Sequence, residues 1–335
     1  MKYREEQQKT KLYKQRYLDG IERVIEQRQT EARKVRDAYT KDIFCDPVRY
    51  REDLKRMLGW PLTDRYKNGL PQVCTEELSR EDGFSVYRMQ FEILEGLTLT
   101  GLFFKADGNE KKPLVILQHG GLGTPEHIAG IYGSTTNYNG MAERVLKYGV
   151  HAFAPQLLLW GDKYGVPFDR KELDARLKRV GSSITALEVY GIIRILDYFE
   201  AQGDCSDFGM VGLSYGGFYT LFTAALDTRI RAAISCSFFN TRDRIGWSDW
   251  VWQDSSEKFD DAEIACLVYP RRLWIRVGDV DELFDSGSAA ESFERVKALC
   301  RKVGTEWVDF TVFKGKHEFF ADDGPLEGLI QSLWF

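Results

Sequence analysis

From residue 113 onward the chain alternates two patterns. Short apolar runs, "PLVILQ", "VHAFAP", "FGMVGLS", "RAAISCS", "LWIRV" and "WVDFTVF", are separated by stretches with helical spacing, among them "YNGMAERVLKYG", "SSITALEVYGIIRILDYFEA", "GGFYTLFTAAL" and "SAAESFERVKALCRKVG". A strand built from such a run has no polar face to offer water, so it must be covered on both sides. Strands covered twice and alternating with helices predict an α/β fold, with a mostly parallel central sheet and helices on both faces. Ahead of them, "FSVYRMQFEI" and "LTLTGLFFKA" are β-branched and aromatic, are separated by the turn-like "LEG", and predict an antiparallel pair.

The N-terminal part reads differently. Glu, Gln, Lys and Arg dominate as far as Tyr39, while Leu18, Ile21, Ile25, Ala32, Val35 and Tyr39 recur at three-and-four spacing, which predicts a long amphipathic helix. "DPVRYREDLKRMLGWPL" then offers an Asp-Pro start, a short helix and a Gly-Trp-Pro stop. The expected organisation is a helical extension over residues 1–80 and an α/β domain over residues 81–335. The stripe of the first helix must be covered, either by the protein's own body or by a second copy, so a homodimer through that helix is one expectation.

A formal charge of −5 argues against nucleic acid as a partner, because phosphate binding runs on clustered Lys and Arg. No stretch approaches the ~18 apolar residues of a membrane span, and the opening "MKYREEQQKTKLYK" lacks a signal-like apolar core, so a cytoplasmic protein is expected. The six cysteines are scattered without C-x-x-C or Cys/His ligand spacing and read as reduced thiols. Neither a metal nor a cofactor is expected.

One stretch carries chemistry. Gly212-Leu213-Ser214-Tyr215-Gly216 matches G-x-S-x-G and sits between the apolar run "FGMV" and the helical "FYTLFTAAL". A serine on a sharp strand-to-helix turn is held up as a nucleophile, and the small residues two positions either side let the backbones approach. A serine hydroxyl needs a base, and among four histidines His317, in "VFKGKHEFF", lies just beyond the last predicted strand. The orienting carboxylate should fall between them in the chain. "GDVDELFD" follows "LWIRV", and Asp281 is placed to turn back over the sheet end, with Asp279 as the alternative. The developing oxyanion needs donors: the N–H of Tyr215 is one, and the loop "LQHGGLGTPEH" supplies the other from Gly121 or, alternatively, Gly120. His119 reads as a brace for that loop and His151 as structural, while His127 could at most touch a substrate.

Two long segments after strands, residues 156–181 and 239–261, break the rhythm and read as walls of a binding site beyond the strand ends. They carry Trp160, Trp247, Trp250 and Trp252, whose faces could stack on sugar rings or acyl groups or could anchor the loops. Trp160, Trp247 and Gly120 are the expected substrate contacts. Arg170, Arg176 and Arg179 could meet an anionic substrate or form a solvated helix face.

"HGGLG", "GLSYGG", and "GDVD" followed by "GKHE", in this order, make residues 84–335 resemble an α/β-hydrolase. "GLSYGGFYTLFTAALDTRIRAAISC" and "EIACLVYPRRLWIRVGDVD" are similar to the branch holding acetyl xylan esterases, cephalosporin deacetylases, dienelactone hydrolase-like proteins and the neighbouring prolyl oligopeptidase-type domains. The resemblance implies a serine hydrolase with Ser214, Asp281 and His317 as triad, and Tyr215 and Gly121 as oxyanion donors. Dienelactone hydrolases proper carry cysteine where this chain has Ser214. The expected reaction is hydrolysis of a small-molecule carboxylic ester, an acetyl or other small acyl ester of a carbohydrate or metabolite, through an acyl-enzyme. A small peptidase or amidase and a non-catalytic scaffold are the alternatives.

Overall fold

"KPLVILQ", Lys112–Gln118, is buried at every position, and it lies at the centre of the sheet. Leu114 and Ile116 point into one apolar cluster and Val115 and Leu117 into the other, as a strand's two-residue period requires. In a computed structural model, which describes residues 1–64, 69–160 and 166–334, this strand is the fourth of nine. They are β1 (Gln72–Arg80), β2 (Phe84–Leu94), β3 (Leu97–Ala106), β4 (Lys112–Gln118), β5 (His151–Pro155), β6 (Cys205–Leu213), β7 (Ile230–Cys236), β8 (Arg272–Gly278) and β9 (Val308–Phe313). Their order across the sheet is β1-β2-β3-β5-β4-β6-β7-β8-β9. β1, β2, β3 and β5 pair antiparallel in turn, and all pairings from β5 to β9 are parallel.

One face of the sheet is covered by the helices Ile184–Gln202, Tyr215–Leu226 and Asp261–Cys266, and the other by Met141–Leu146 and Gly324–Trp334. The chain leaves β4 for β5 on one side and returns to β6 on the other. A crevice therefore opens between the carboxyl ends of β4 and β6, where Gln118 pairs with Gly212. The loop after β4 and the turn after β6 are the two segments expected to carry oxyanion donors and nucleophile, and they emerge side by side.

The first strand lies inside the segment expected to be helical extension. "QVCTEELSR" has few apolar residues because it is the exposed edge of the sheet, hydrogen-bonded to β2 alone, so no burial pattern marks it. The helix Gln7–Tyr39 forms as expected but buries only Ala32 and Arg36. Its last turns dock on the segment after β7: Arg33 pairs with Asp243 at 3.0 Å, and Arg36 reaches the Ser256 carbonyl at 3.1 Å and Asp260 at 3.5 Å. The next helix, Pro47–Leu58, is capped by the Asp46 side chain accepting from the Arg49 N–H, as the Asp-Pro start predicts.

Candidate active site

β6 ends at Leu213, and Ser214 follows with φ 61° and ψ −121°, a conformation that L-residues rarely adopt, before the helix Tyr215–Leu226 begins. The turn is tight enough to require glycine. A Cβ on Gly212 would lie 2.3 Å from the Gly216 backbone, and one on Gly216 would lie 2.1 Å from the carbonyl oxygen of Gln118 at the end of β4. The Ser214 N–H donates to the Cys236 carbonyl at 2.8 Å, which ties the elbow to β7. Ser214 is buried except where it lines a cavity of about 400 Å³.

His317 lines the same cavity from the loop after β9. Its Nδ1 lies 2.9 Å from Oδ2 and 3.1 Å from Oδ1 of Asp281, in the loop after β8. Asp281 Oδ1 also accepts the N–H groups of Leu283 (2.9 Å) and Phe284 (3.0 Å), which fixes the carboxylate plane. Burial pushes the Asp281 carboxyl up, but the hydrogen bond and charge of His317, together with the backbone N–H groups of Phe284 and Leu283, leave the group below the ordinary carboxylate range. An ionised Asp281 keeps a proton on Nδ1 and leaves Nε2 as the acceptor, the tautomer that a general base needs. Asp279 has a different task, accepting the Gly315 N–H at 2.9 Å to close the loop that carries the histidine. Phe284 stacks on the imidazole with centroids 5.7 Å apart. Asn137 holds the same loop from outside, donating through Nδ2 to the His317 carbonyl at 3.1 Å and accepting the Phe319 N–H at 2.8 Å. Among the described residues no hydrogen bond joins Ser214 Oγ to His317, a bond that commonly tightens only with substrate bound.

The two glycines after β4 separate clearly. The Gly120 N–H donates to the Tyr138 hydroxyl at 2.8 Å, whereas the Gly121 N–H has no such partner among the described residues. His119 braces the loop: Nε2 accepts the Leu157 N–H at 3.1 Å, so Nδ1 carries the proton that faces the Gly120 carbonyl at 2.9 Å. Burial lowers this imidazole to about 4 and keeps it neutral. His151 accepts the Ala106 N–H at 3.1 Å inside the sheet. The Tyr215 N–H stands in the first turn of its helix, where backbone donors have no partner within the helix.

No family model matches the chain. The Bacillus subtilis (strain 168) protein named "Putative hydrolase YtaP" is 27% identical over 265 residues, covering 74% of this chain and 84% of that protein. Among solved structures, a "putative acetyl xylan esterase" of Bacteroides fragilis NCTC 9343 superposes with a TM-score of 0.67 at 18% identity, over 83% of this chain and 77% of that one. A glucuronoyl esterase of Solibacter usitatus gives a TM-score of 0.60 at 13% identity, over 85% and 92% of the two chains. An acetyl xylan esterase of Paenibacillus sp. R4 gives 0.59 at 15%, over 88% and 94%. The chain has the α/β-hydrolase fold.

In this fold the walls of the cavity come from the two long segments and from a third that sequence reading passed over. Trp160 and Trp247 meet edge to face with centroids 5.0 Å apart, and both line the cavity with His127. Thr136, Asn137 and Tyr138 complete it from the loop after Pro125–Ile128, which has no aromatic run or unusual length to draw attention. Trp250 and Trp252 stay in the core against Phe218 and do not line the cavity. Residues 161–165 of the first long segment lie outside the described residues.

Arg170 is not available to an anionic substrate. It is buried, with Nε 2.8 Å from Asp249 Oδ2 and Nη2 3.0 Å from Glu188 Oε2, and it also donates to the Tyr219 hydroxyl at 2.7 Å. Asp249 in turn accepts the Tyr215 hydroxyl at 2.8 Å. The network fastens both long segments to Tyr215, the residue after Ser214, and the Arg170 charge is met by two carboxylates inside the protein. Arg176 and Arg179 are solvent-exposed on the helix Arg170–Arg179. All six cysteines are free, Cys45 and Cys74 exposed. Among the described residues no group of three or more His, Cys, Asp or Glu could hold a metal, and no helix is long and apolar enough to cross a membrane.

Proposed function

We propose that the protein hydrolyses a small-molecule carboxylic ester through a covalent serine intermediate. The observation that carries this reading is a serine on a strained elbow, opening into one cavity with a histidine whose far nitrogen is held by a buried, ionised carboxylate. In this mechanism His317 Nε2 takes the Ser214 proton as Oγ attacks the ester carbonyl, and Asp281 stabilises the imidazolium. The N–H groups of Tyr215 and Gly121 receive the oxyanion. The imidazolium then protonates the leaving alcohol, and water repeats the attack on the acyl-serine. No step calls on a cofactor.

The acyl group is placed against Trp160, Trp247 and Leu122, and the cavity of about 400 Å³ has room for the alcohol part of the ester beside it. The aromatic side chains that line it also suit a sugar ring, so the substrate class is an acylated carbohydrate or comparable metabolite, consistent with the names of the structural relatives. Free exposed cysteines support a reducing, cytoplasmic setting. The working organisation is a hydrolase domain with an N-terminal helical extension through which two copies associate.

The test is labelling with a fluorophosphonate, then turnover of acetyl esters, longer acyl esters and aminoacyl amides. Labelling that is lost in Ser214→Ala and turnover highest on acetyl esters is the expected result. Wild-type protein that resists the label overturns the catalytic reading, and faster cleavage of the amides replaces it with a peptidase or amidase.

A further inference from the structure

The helix Gln7–Tyr39 leaves the body after its docked end. From Gln7 to Arg28 every residue except Gly20 is exposed, and Arg28 is the first to reach the body, 3.1 Å from Glu257. That is about 33 Å of projecting helix at 1.5 Å per residue. An isolated helix of this length is marginal in water unless an apolar face is packed. Tyr17, Leu18, Ile21, Val24 and Ile25 are all exposed here, on one stripe that continues into the buried Ala32. Solvating such a stripe is costly, and a partner helix would bury it.

Charge selects the partner and its direction. Residues 1–16 carry Lys2, Arg4, Lys9, Lys11, Lys14 and Arg16 against two glutamates, a net +4. Residues 17–31 carry Asp19, Glu22, Glu26 and Glu31 against two arginines, a net −2, and one of those arginines, Arg28, is already engaged by Glu257. A parallel pair of identical helices would set the basic ends side by side. An antiparallel pair sets the basic end of each helix against the acidic stretch of the other, while Tyr17 and Ile21 meet near the two-fold axis.

We infer that the projecting helix is a dimerisation arm, which packs antiparallel against the same helix of a second copy along the Tyr17–Ile25 stripe. The inference does not depend on the ester chemistry, and its readout is mass.

Light scattering of the full chain at tens of micromolar is expected to give about 77 kDa, twice the 38.6 kDa chain. Ile21→Glu with Ile25→Glu replaces two exposed side chains of the projecting helix, so this variant is expected to run as a monomer whose body still melts cooperatively. Direction is read by charge. Lys11→Glu, Lys14→Glu and Arg16→Glu together weaken the dimer at low salt, and adding Asp19→Lys, Glu22→Lys and Glu26→Lys restores it. A wild-type monomer at this concentration, or a dimer that survives the double glutamate variant, overturns the inference. Failure of the second charge set to restore pairing overturns the antiparallel direction.

Discussion

Asp281→Asn is the sharpest perturbation of the proposed chemistry, because the surroundings dictate how an amide would sit. Oδ1 of Asp281 is committed to two backbone donors, the N–H groups of Leu283 and Phe284 at 2.9 and 3.0 Å. An asparagine must keep its carbonyl oxygen there, which places its NH2 group at the Oδ2 position, 2.9 Å from His317 Nδ1. Two donors cannot share that hydrogen bond, so Nδ1 becomes the acceptor and the proton moves to Nε2, the nitrogen that should receive the Ser214 proton. The base is lost while the loop keeps its bonds. A wrong tautomer of this kind costs about 10⁴ in kcat, or about 5 kcal/mol at 1.36 kcal/mol per tenfold. The assay is kcat/KM on an aryl acetate with a melting curve beside it, and Asp279→Asn as the control. Among the described residues the Asp279 carboxylate accepts only the Gly315 N–H, a bond that an amide oxygen also makes, so its substitution should cost less than tenfold. A loss below tenfold in Asp281→Asn, with the fold intact, or an equal loss in Asp279→Asn, refutes the assignment.

Tyr215→Phe removes a hydroxyl bonded to Asp249 but leaves the backbone N–H in place, so stability should fall by about 1–2 kcal/mol with kcat within a few-fold of wild type. A thousandfold loss of kcat would mean the hydroxyl, not the amide, serves the reaction. Trp160→Ala and Trp247→Ala each remove one wall of the cavity and should raise kcat/KM for butyryl and hexanoyl esters relative to acetyl, measured as a ratio on one panel. An unchanged ratio in both variants would move the acyl group elsewhere. Stability should also depend on pH through His119, held neutral to about 4 in the folded chain against an ordinary imidazole near 6.5. A depressed folded value means the contribution is complete above pH 6.5 and is lost as the pH falls toward 4, since the unfolded chain takes the proton first. The loss at pH 4 is on the order of 3 kcal/mol for His119, with His151 acting in the same direction. Equal urea midpoints at pH 7 and pH 4.5 would contradict it.

The parts legible in the sequence are those where one local constraint forces residue type. Strands buried on both faces are built mostly from apolar residues, so β4 to β8 stand out as runs. The elbow admits only glycine at 212 and 216, so it is visible as a motif, and chain order then points to Asp281 and His317. What stayed hidden depends on pairs of distant residues. The edge strand β1 carries no burial pattern, and nothing near Tyr138 announces that its hydroxyl takes the Gly120 amide and so leaves Gly121 as the open donor. Arg170 looked like a surface charge because its partners lie 18 and 79 residues away.

That network also bears on why the long segments are charged at all. A buried Arg170 with two carboxylates is no more stabilising than apolar packing of the same volume, and it is often less so. Its bonds are directional, however, and they run from Glu188 and Asp249 through to the Tyr215 hydroxyl, one residue from Ser214. An apolar contact would tolerate sliding of the Trp160 and Trp247 walls over the elbow, and a set of charge-assisted bonds does not. The position of the cavity wall relative to Ser214 is therefore set by this network, at a cost in stability that the surrounding aromatic core, with Phe218, Trp250 and Phe238 packed beneath it, is large enough to carry.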